Sequence, residues 1–357
     1  MIMRLTRTRI GALAGALVVA SSGAAAGAAP AAADVCPAAT DQWQVVDLGT
    51  TGRAIDINDQ GQIAGWMRNA AGRSWAVMWD GGQRVEVGSL GGPTSVATAI
   101  DEDARVVGES YTAQEKGHGF LWDDGVIHDL GNFASVTHVH DVDQGVIVGS
   151  HMRVLSSGHR RSQAYVIDNG VRTDLGVVAG SVASDVNAGG QIAGTHRRTE
   201  RVGLPADQQT QRAFRWAGGA VTELGTLGGN WSQATGLNDH GHVVGESALD
   251  AAGVAQAGFV WSEGAGMRRI EDGGGVARPT AINDHGTIVG THACDPAGPS
   301  HAAVWTDPAQ APLRLPGPPG ATATAANAVN AHGEIAGYAV LPGNEPRAVL
   351  WKPVSAR

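Results

Sequence analysis

Residues 280–290 read TAINDHGTIVG, and this phrase decides the fold because it recurs seven times with small variations. Each copy has a run of small residues leading into Asn or Asp, a short turn, and a branched run into an anchor glycine. Self-similarity at a period of roughly 20–50 residues is typical of solenoids, propellers and arrays. The anchor glycines lie 41 to 51 residues apart and are Gly65, Gly108, Gly149, Gly194, Gly245, Gly290 and Gly337.

Each of the seven units contains four short apolar runs bounded by Gly, Asn and Asp, which is the pattern of strands joined by hairpins. We predict a first strand running into the turn Asn, as in 54–58, and a second strand ending at the anchor glycine. The third strand ends in Trp in six units and at Ile167 in the third, and the fourth closes on Leu-Gly or its equivalent. Turns such as Asn283-Asp284-His285-Gly286 fit tight hairpins.

Four strands per unit and seven units predict an all-β, seven-bladed β-propeller with four-stranded antiparallel blades. The last unit stops after its third strand, while residues 44–49 (QVVDLG) read as a spare fourth strand at the other end of the chain. Pairing the N-terminal strand with the C-terminal blade would close the ring and leave no free edge. The alternative is a linear solenoid, which requires capping repeats.

The composition agrees with a turn-rich β-protein. Glycine accounts for 52 of 357 residues, a density that would strongly destabilise a bundle of helices. The hydrophobic fraction of 43% argues against disorder.

The first 33 residues are predicted to be a secretory signal peptide. Arg4, Arg7 and Arg9 precede an apolar run at 10–20, and small residues follow up to Asp34. Cleavage is expected after Ala33, with positions 26 and 29 as alternatives. We therefore divide the chain into a signal peptide (1–33), an N-terminal tail (34–41) and a propeller (42–357), and expect a secreted protein with no membrane span after cleavage.

Cleavage would leave 22 basic against 34 acidic residues, a net charge of −12. That balance argues against a nucleic-acid partner. The two cysteines, Cys36 and Cys294, are a possible disulfide in an exported protein, although the sequence does not give their separation. No Cys/His spacing indicates zinc, so neither a metal nor a cofactor is expected.

The repeated phrase, followed by a strand entered by His, Ala or Phe and closed by Trp, resembles the HAF-type extracellular repeat family of bacteria. The resemblance covers residues 42 to 351 and implies export and a repeat architecture, but it supplies no defined reaction. No unit has the complete His-Ala-Phe triplet. The matching segments are 118–120 (HGF), 212–214 (RAF), 257–259 (AGF) and 301–303 (HAA).

The connections between second and third strands vary most in length, and ligands usually bind in such loops. The longest, 150–162 and 195–211, belong to neighbouring units and are basic. Because arginine forks suit carboxylates and phosphates, they form a candidate anion site. The alternative is two solvated loops kept soluble by their arginines. The candidate residues are Arg153, His159, Arg160, Arg161, His196, Arg197, Arg198 and Arg201.

Three aromatic residues on the same face, Trp66, Trp231 and Tyr338, are predicted to stack against a ligand. Glu109 and Glu246 occupy equivalent positions in units two and five. We attribute their matching positions to the similarity of the repeats and not to a shared site, since equivalent sites three blades apart lie across a ring.

Two short acidic patterns, Asp56-x-Asn58 and Asp141-x-Asp143, are interpreted as turns because no later calcium ligands follow. No catalytic residue is predicted.

We therefore expect a secreted, monomeric, non-catalytic propeller that binds an extracellular or cell-envelope partner, most specifically an anionic polysaccharide. One alternative is a polysaccharide hydrolase or lyase with its site at the mouth of the central channel. An acid converging there with a second acid or a His would favour that enzyme. Another is a purely structural or adhesion module.

Overall fold

The computed structural model describes residues 36, 38–132, 137–156, 158–177, 180–198 and 210–354. These residues form 27 β-strands, so the all-β prediction is confirmed. None of them forms a helix long and apolar enough to cross a membrane. The predicted signal peptide (1–33) lies outside the described residues.

Five sheets have four antiparallel strands each, joined in chain order. Their strands, sheet by sheet, are β5 (Gly91–Ile100), β6 (Val106–Thr112), β7 (Gly117–Asp123), β8 (Val126–Gly131); β9 (Thr137–Asp143), β10 (Val146–Val154), β11 (Arg160–Asp168), β12 (Val171–Asp174); β13 (Val182–Val186), β14 (Ile192–Arg198), β15 (Thr210–Ala217), β16 (Ala220–Glu223); β17 (Ser232–Leu237), β18 (Val243–Ala248), β19 (Gln256–Ser262), β20 (Gly266–Arg269); β21 (Val276–Ile282), β22 (Ile288–Ala293), β23 (His301–Trp305), β24 (Leu313–Arg314).

The sixth sheet joins the two ends of the chain in seven strands, in the order β25-β26-β27-β1-β2-β3-β4. The long strand β1 pairs antiparallel with β27 over Trp43 to Thr51, and with β2 from Gly52 onward. The segment 44–49 thus supplies the fourth strand of the last unit, as its sequence predicts. The seven strands are β1 (Trp43–Ile57), β2 (Ile63–Arg68), β3 (Ser74–Asp80), β4 (Gln83–Gly88), β25 (Ala323–Val329), β26 (Ile335–Leu341) and β27 (Glu345–Pro353).

A β-bulge recurs at the same place in all seven units. It lies in the first strand, close to the turn that leads into the second strand. One extra residue of the first strand lies between two residues paired with the second strand, for example Thr235 between Ala234 and Gly236. A bulge increases the local twist and redirects the flanking side chains. The bulged residues are Ile55, Thr98, His140, Ser184, Thr235, Thr280 and Asn327.

The anchor glycines allow the first strand to approach the second closely at this bulge. A Cβ added at Gly245, for instance, would overlap the carbonyl oxygen of Gln233, and the other six anchors face a first-strand carbonyl in the same way. Only glycine fits this approach without a backbone shift.

First strands of successive units contact one another in a closed circuit: β1, β5, β9, β13, β17, β21, β25 and back to β1. Hydrogen bonds follow the same circuit. The side-chain amide of Asn238, a turn residue, donates to the backbone carbonyl of Asn283. In the same way the Asn283 side chain donates to the Asn330 carbonyl, and the Asn330 side chain to the Asn58 carbonyl. The last bond spans 272 residues of sequence, so it joins the two ends of the repeat array.

The core consists of apolar layers between adjacent sheets. One layer packs Val244 and Val260 of the fifth unit against Ile282, Ile288 and Trp305 of the sixth, all buried. The tryptophans that end the third strands fill such layers, as expected from packing rather than from ligand binding.

The second strands are longer than the sequence predicts. They continue past the anchor glycine, by three residues in β2 and β18 and by five in β10. The residues that follow each glycine are therefore strand residues, and the loops between second and third strands are correspondingly shorter.

Candidate functional site

The extended second strands create a band of side chains that we call the loop-side ring. It consists of the residue after each anchor glycine and the first-strand residue paired with it across the strands. Its ionisable and aromatic members are Arg53, Trp66, Glu109, His138, Glu246, Arg278 and Tyr338.

Glu109 and His138 form the tightest charged contact of this ring. Oε1 of Glu109, on β6, lies 2.8 Å from Nδ1 of His138, on the first strand of the next unit. Both side chains keep about a third of their surface exposed, at 34% and 38%. The hydrogen bond to Glu109 raises the pKa of His138 above its usual value, against the opposing effect of burial. The pair combines a proton acceptor and donor with access to solvent.

Two further contacts of the ring follow the same geometry, from the second strand of one unit to the first strand of the next. Oε2 of Glu246 lies 3.5 Å from Nε of Arg278. The guanidinium of Arg53 lies 4.0 Å above the centre of the Tyr338 ring, which is a cation–π contact. Burial raises the pKa of Glu246, and the charge of Arg278 lowers it in turn.

His140, the bulged residue of β9, lies behind His138, with 6.2 Å between the ring centres. Its Nε2 is 3.3 Å from the Oγ of Ser150, the ring residue of the third unit. Burial, assisted by the charge of His138, lowers the pKa of His140 to about 4, so this imidazole is neutral near pH 7. His140 therefore supports the site without adding charge to it.

Three carboxyl groups lie next to the bulges and tie neighbouring units together. Asp56 accepts a hydrogen bond of 2.8 Å from the backbone N–H of Ile100 in the next unit. Asp141 accepts one from Val186 and Asp185 one from Leu237, at 2.8 and 2.6 Å. Burial raises the pKa of all three, and that of Asp56 to about 7. These hydrogen bonds give the three carboxyl groups a structural role as links between neighbouring units.

The basic residues predicted in the third unit are divided between two strands and their loop. Arg153 of β10 is paired across the hairpin with Arg161 of β11, and Arg160 begins β11. His159 lies in the connecting turn and is exposed, as are Arg153 and Arg160. The structure thus brings these residues together at one hairpin, although most of them lie on strands rather than in a long loop.

Among the basic residues predicted in the fourth unit, the two whose side chains the structure describes, His196 and Arg197, are not exposed. His196 is only 5% exposed, and its ring packs 5.9 Å from that of Phe214. Arg197 is half-buried and donates its backbone N–H to the carbonyl of Gly180. Arg198 is the last residue of β14, and Arg201 lies outside the described residues. Placing His196 in a ligand-binding loop is therefore wrong, because its strand carries it into the core.

Two of the three predicted aromatic residues belong to the loop-side ring. Trp66 is paired with Arg53 across β1 and β2, and the same arginine stacks on Tyr338. Trp231 is instead used within its own unit, where its indole N–H donates to the carbonyl of Gly253 at 3.2 Å.

Sequence reasoning missed His138 and assigned Glu109 to repeat identity. Glu109 and Glu246 do lie in different parts of the circuit, and each has its own basic partner on the following unit. A signal for His138 was available: it is the residue before the small core residue of its first strand, the position held by Arg53 and Arg278 in other units. Comparing the residues at this first-strand position with the residues after the anchor glycines of the preceding units would have located the three contacts between units.

No family model matches this chain, and no curated protein matches it. Its fold is similar to that of solved β-propellers. The β-propeller domain of the Trilobed protease from Pyrococcus furiosus has a TM-score of 0.58 and 8% identity, covering 84% of this chain and 95% of that one. An acylaminoacyl peptidase from Pyrococcus horikoshii has a TM-score of 0.59 and 11% identity, covering 84% and 51%.

A puromycin-hydrolyzing peptidase from Mycobacterium tuberculosis is similar at a TM-score of 0.53 and 13% identity, covering 87% of this chain and 53% of that one. The chain thus spans about half the length of the two peptidase chains. At these identities the similarity shows the fold, a β-propeller.

The expectation of a non-catalytic binding propeller is wrong on these findings. The solved structures with a similar fold include a propeller domain of a protease and two peptidase chains. The structure also brings an acid and a histidine, Glu109 and His138, into contact.

Proposed function

We propose that this protein is a hydrolase of acyl bonds, esters or amides, with its site at the loop-side ring. The observation that carries the proposal is the 2.8 Å contact between Glu109 and the solvent-accessible His138. A carboxylate that fixes one ring nitrogen of a histidine leaves the other to act as a general base.

The reaction follows from this geometry. The carboxylate of Glu109 holds the Nδ1–H of His138, and Nε2 removes a proton from a water molecule. The water oxygen forms a bond to the substrate carbonyl carbon, and the bond from that carbon to the leaving group breaks. The proton on Nε2 passes to the leaving group, so His138 returns to its starting state and the products are a carboxylic acid and an alcohol or amine.

The residue types favour acyl transfer over glycoside hydrolysis. Glycosidases generally use two carboxyl groups about 5–10 Å apart. The ring instead has one acid–histidine pair, and its other acid, Glu246, is engaged by Arg278. Similarity to peptidase propellers supports a peptide or aminoacyl substrate as the first class to test.

The test is hydrolysis of chromogenic esters, aminoacyl amides and peptide amides by the purified chain, with polysaccharides in the same panel. General acid–base catalysis contributes roughly 10²–10⁴-fold, so His138→Gln should lower kcat/KM by about 100-fold or more. The matched control is His240→Gln, since His240 is exposed at 61% and lies in a turn at the opposite strand ends. Equal activity of the His138→Gln and wild-type proteins would contradict the proposal, as would no hydrolysis of any substrate.

The pH dependence gives a second readout. Because Glu109 raises the pKa of His138, the base form accumulates only above the ordinary histidine value of 6.5. We expect kcat/KM to rise with pH at values above 6.5. Glu109→Gln should lower the maximal rate and move the rising limb to lower pH, whereas Glu86→Gln at an exposed site should do neither. An unmoved limb in Glu109→Gln would show that another group is the base.

The architecture proposed for the enzyme is a seven-bladed, closed, monomeric propeller of HAF-type repeats. It is supported by the circuit of first-strand contacts, by the bond from Asn330 to Asn58, and by the pairing of β1 with β27. In this interpretation the seven-stranded sheet comprises two blades that share β1. Secretion through cleavage of residues 1–33 is part of the same proposal, supported by the sequence pattern alone.

A second candidate is the propeller part of a larger hydrolase. The observation that favours it is that the chain spans only about half of each peptidase it resembles. The mass of the native protein in its source culture decides between the two, because a separate enzyme would have at most the 36.5 kDa of this chain. A native mass near twice that value would favour the second candidate.

A further inference from the structure

The two cysteines and a histidine meet at a single place near the end of β22, one residue beyond the ring position of Thr291. Cys36 is bonded to Cys294, with 5.4 Å between their Cα atoms, and 258 residues of sequence separate them. His292, at the end of β22, directs its Nδ1 to within 3.6 Å of the Cys294 sulfur. Both sulfurs and this nitrogen lie within 4.8 Å of one another.

The orientation of His292 is fixed by a bond on its far side. Its Nε2 lies 2.7 Å from the carbonyl oxygen of Asp272, which can only accept a hydrogen bond. Nε2 therefore carries the proton, and Nδ1 presents a lone pair toward the sulfurs. This carbonyl–histidine arrangement is the outer-shell contact that metal-binding histidines usually make. The ring is nearly buried, at 9% exposed.

A small cavity lies at the same place. Its volume is about 10 Å³, and its lining includes both cysteines, His292 and His301. That is about the space one water molecule needs, so the cavity suits a single ion and no organic ligand. The sulfur–nitrogen distance of 3.6 Å is close to the separation of about 3.5 Å between ligands of tetrahedral zinc.

We propose that reduction of the Cys36–Cys294 disulfide converts this site into a zinc site with Cys36, Cys294 and His292 as ligands. A dithiol reductant supplies two electrons and two protons, the S–S bond breaks, and two thiols form while the reductant becomes a disulfide. Zn²⁺ then binds both sulfurs and Nδ1 and displaces the two thiol protons to solvent. Water takes the fourth position. Thiolates and imidazole are the ligands that Zn²⁺ prefers.

Replacing the disulfide by a zinc ion would keep the N-terminal segment attached to the sixth unit in both redox states. Cys36 lies before β1, and the segment behind it is also held by a 2.8 Å hydrogen bond from Thr40 N–H to the Arg314 carbonyl. The disulfide links this segment to the sixth unit in the oxidised protein. Zinc would make the same link between the same residues when the sulfurs are reduced.

The test uses the full chain, reduced with a dithiol and then freed of reductant without air, and titrated with Co²⁺ as a spectroscopic substitute for Zn²⁺. We expect one Co²⁺ per chain, with thiolate-to-cobalt charge-transfer absorption that Zn²⁺ removes. The oxidised chain and the Cys36→Ser/Cys294→Ser variant should give no such absorption. His292→Gln should weaken Co²⁺ binding at least about 10-fold.

Two results would overturn the proposal: reduced wild-type chain that binds no more Co²⁺ than the double serine variant, or His292→Gln that binds as tightly as wild type. The fluorescence of the ten tryptophans shows whether the reduced chain stays folded. If reduction unfolds it, Zn²⁺ must restore the folded signal, since metal binding and folding are then coupled. Failure of Zn²⁺ to restore that signal would also count against the site.

Discussion

Single residues decide how this β-propeller responds to pH. Asp141 and Asp185 are carboxyl groups of neighbouring units, and the charge of Asp185 adds to burial in raising the pKa of Asp141. Burial raises the pKa of both above the ordinary 3.8, and Asp56 and Asp143 are raised to about 7. A raised carboxyl pKa means that the folded state binds more protons than the unfolded state, so ionisation opposes folding as pH rises.

We therefore predict that Asp141→Asn becomes more stable relative to wild type as pH rises from 4 to 8. The asparagine oxygen can still accept the N–H of Val186, but it has no charge to desolvate. The measurement is urea unfolding of both proteins at several pH values. Asp41→Asn, at an exposed position, is the control and should follow wild type throughout. A stability difference that does not change with pH would show that Asp141 titrates normally.

The first and second strands are the elements that define each unit, and the bulge between them is the least tolerant part. The seven anchor glycines face first-strand carbonyls so closely that no Cβ fits. The close approach also sets where the next residue points, and that residue is a member of the loop-side ring. The repeated glycine therefore positions the side chains that differ between units.

Gly245→Ala should lower the free energy of unfolding by at least about 2 kcal/mol, since its Cβ would overlap the Gln233 carbonyl and the Phe259 ring. Gly117→Ala is the matched control: Gly117 begins β7, is exposed, and has nothing within 4 Å of an added Cβ. We expect it to change stability by no more than about 0.5 kcal/mol. Chemical denaturation measures both. Similar changes in the free energy of unfolding at the two sites would show that the second strand can move away from the first strand to make room for the methyl group.

At the scale of the whole molecule, β1 is the strand that joins the two ends of the chain. Its first half pairs with β27 and its second half with β2. Without the first half, β27 would become a free edge with unpaired backbone groups, which favours aggregation.

Deleting residues 34–49 is expected to produce earlier, broader unfolding and oligomers on size-exclusion chromatography. The deletion also removes Cys36, so the Cys36→Ser/Cys294→Ser variant is the necessary comparison and should stay monomeric. A deletion variant that elutes as a monomer with an unchanged unfolding midpoint would show that the strand pairing contributes nothing to stability.

The sequence by itself determined the repeat, its seven anchors, the turns and the strand that completes the last unit. Periodic glycines and Asn-Asp-x-Gly turns act locally, so their consequences can be read along the chain. It did not determine how far the second strands run, and His196 was misplaced for that reason.

Only the tertiary structure decided which side chains meet. Glu109 reaches His138 and Cys36 reaches Cys294 because units lie side by side, 29 and 258 residues apart in sequence. Such contacts depend on the lateral packing of the sheets and on bulges that redirect side chains. A hydrophobic pattern specifies which face of a strand is buried, but it does not specify the neighbour on the next sheet.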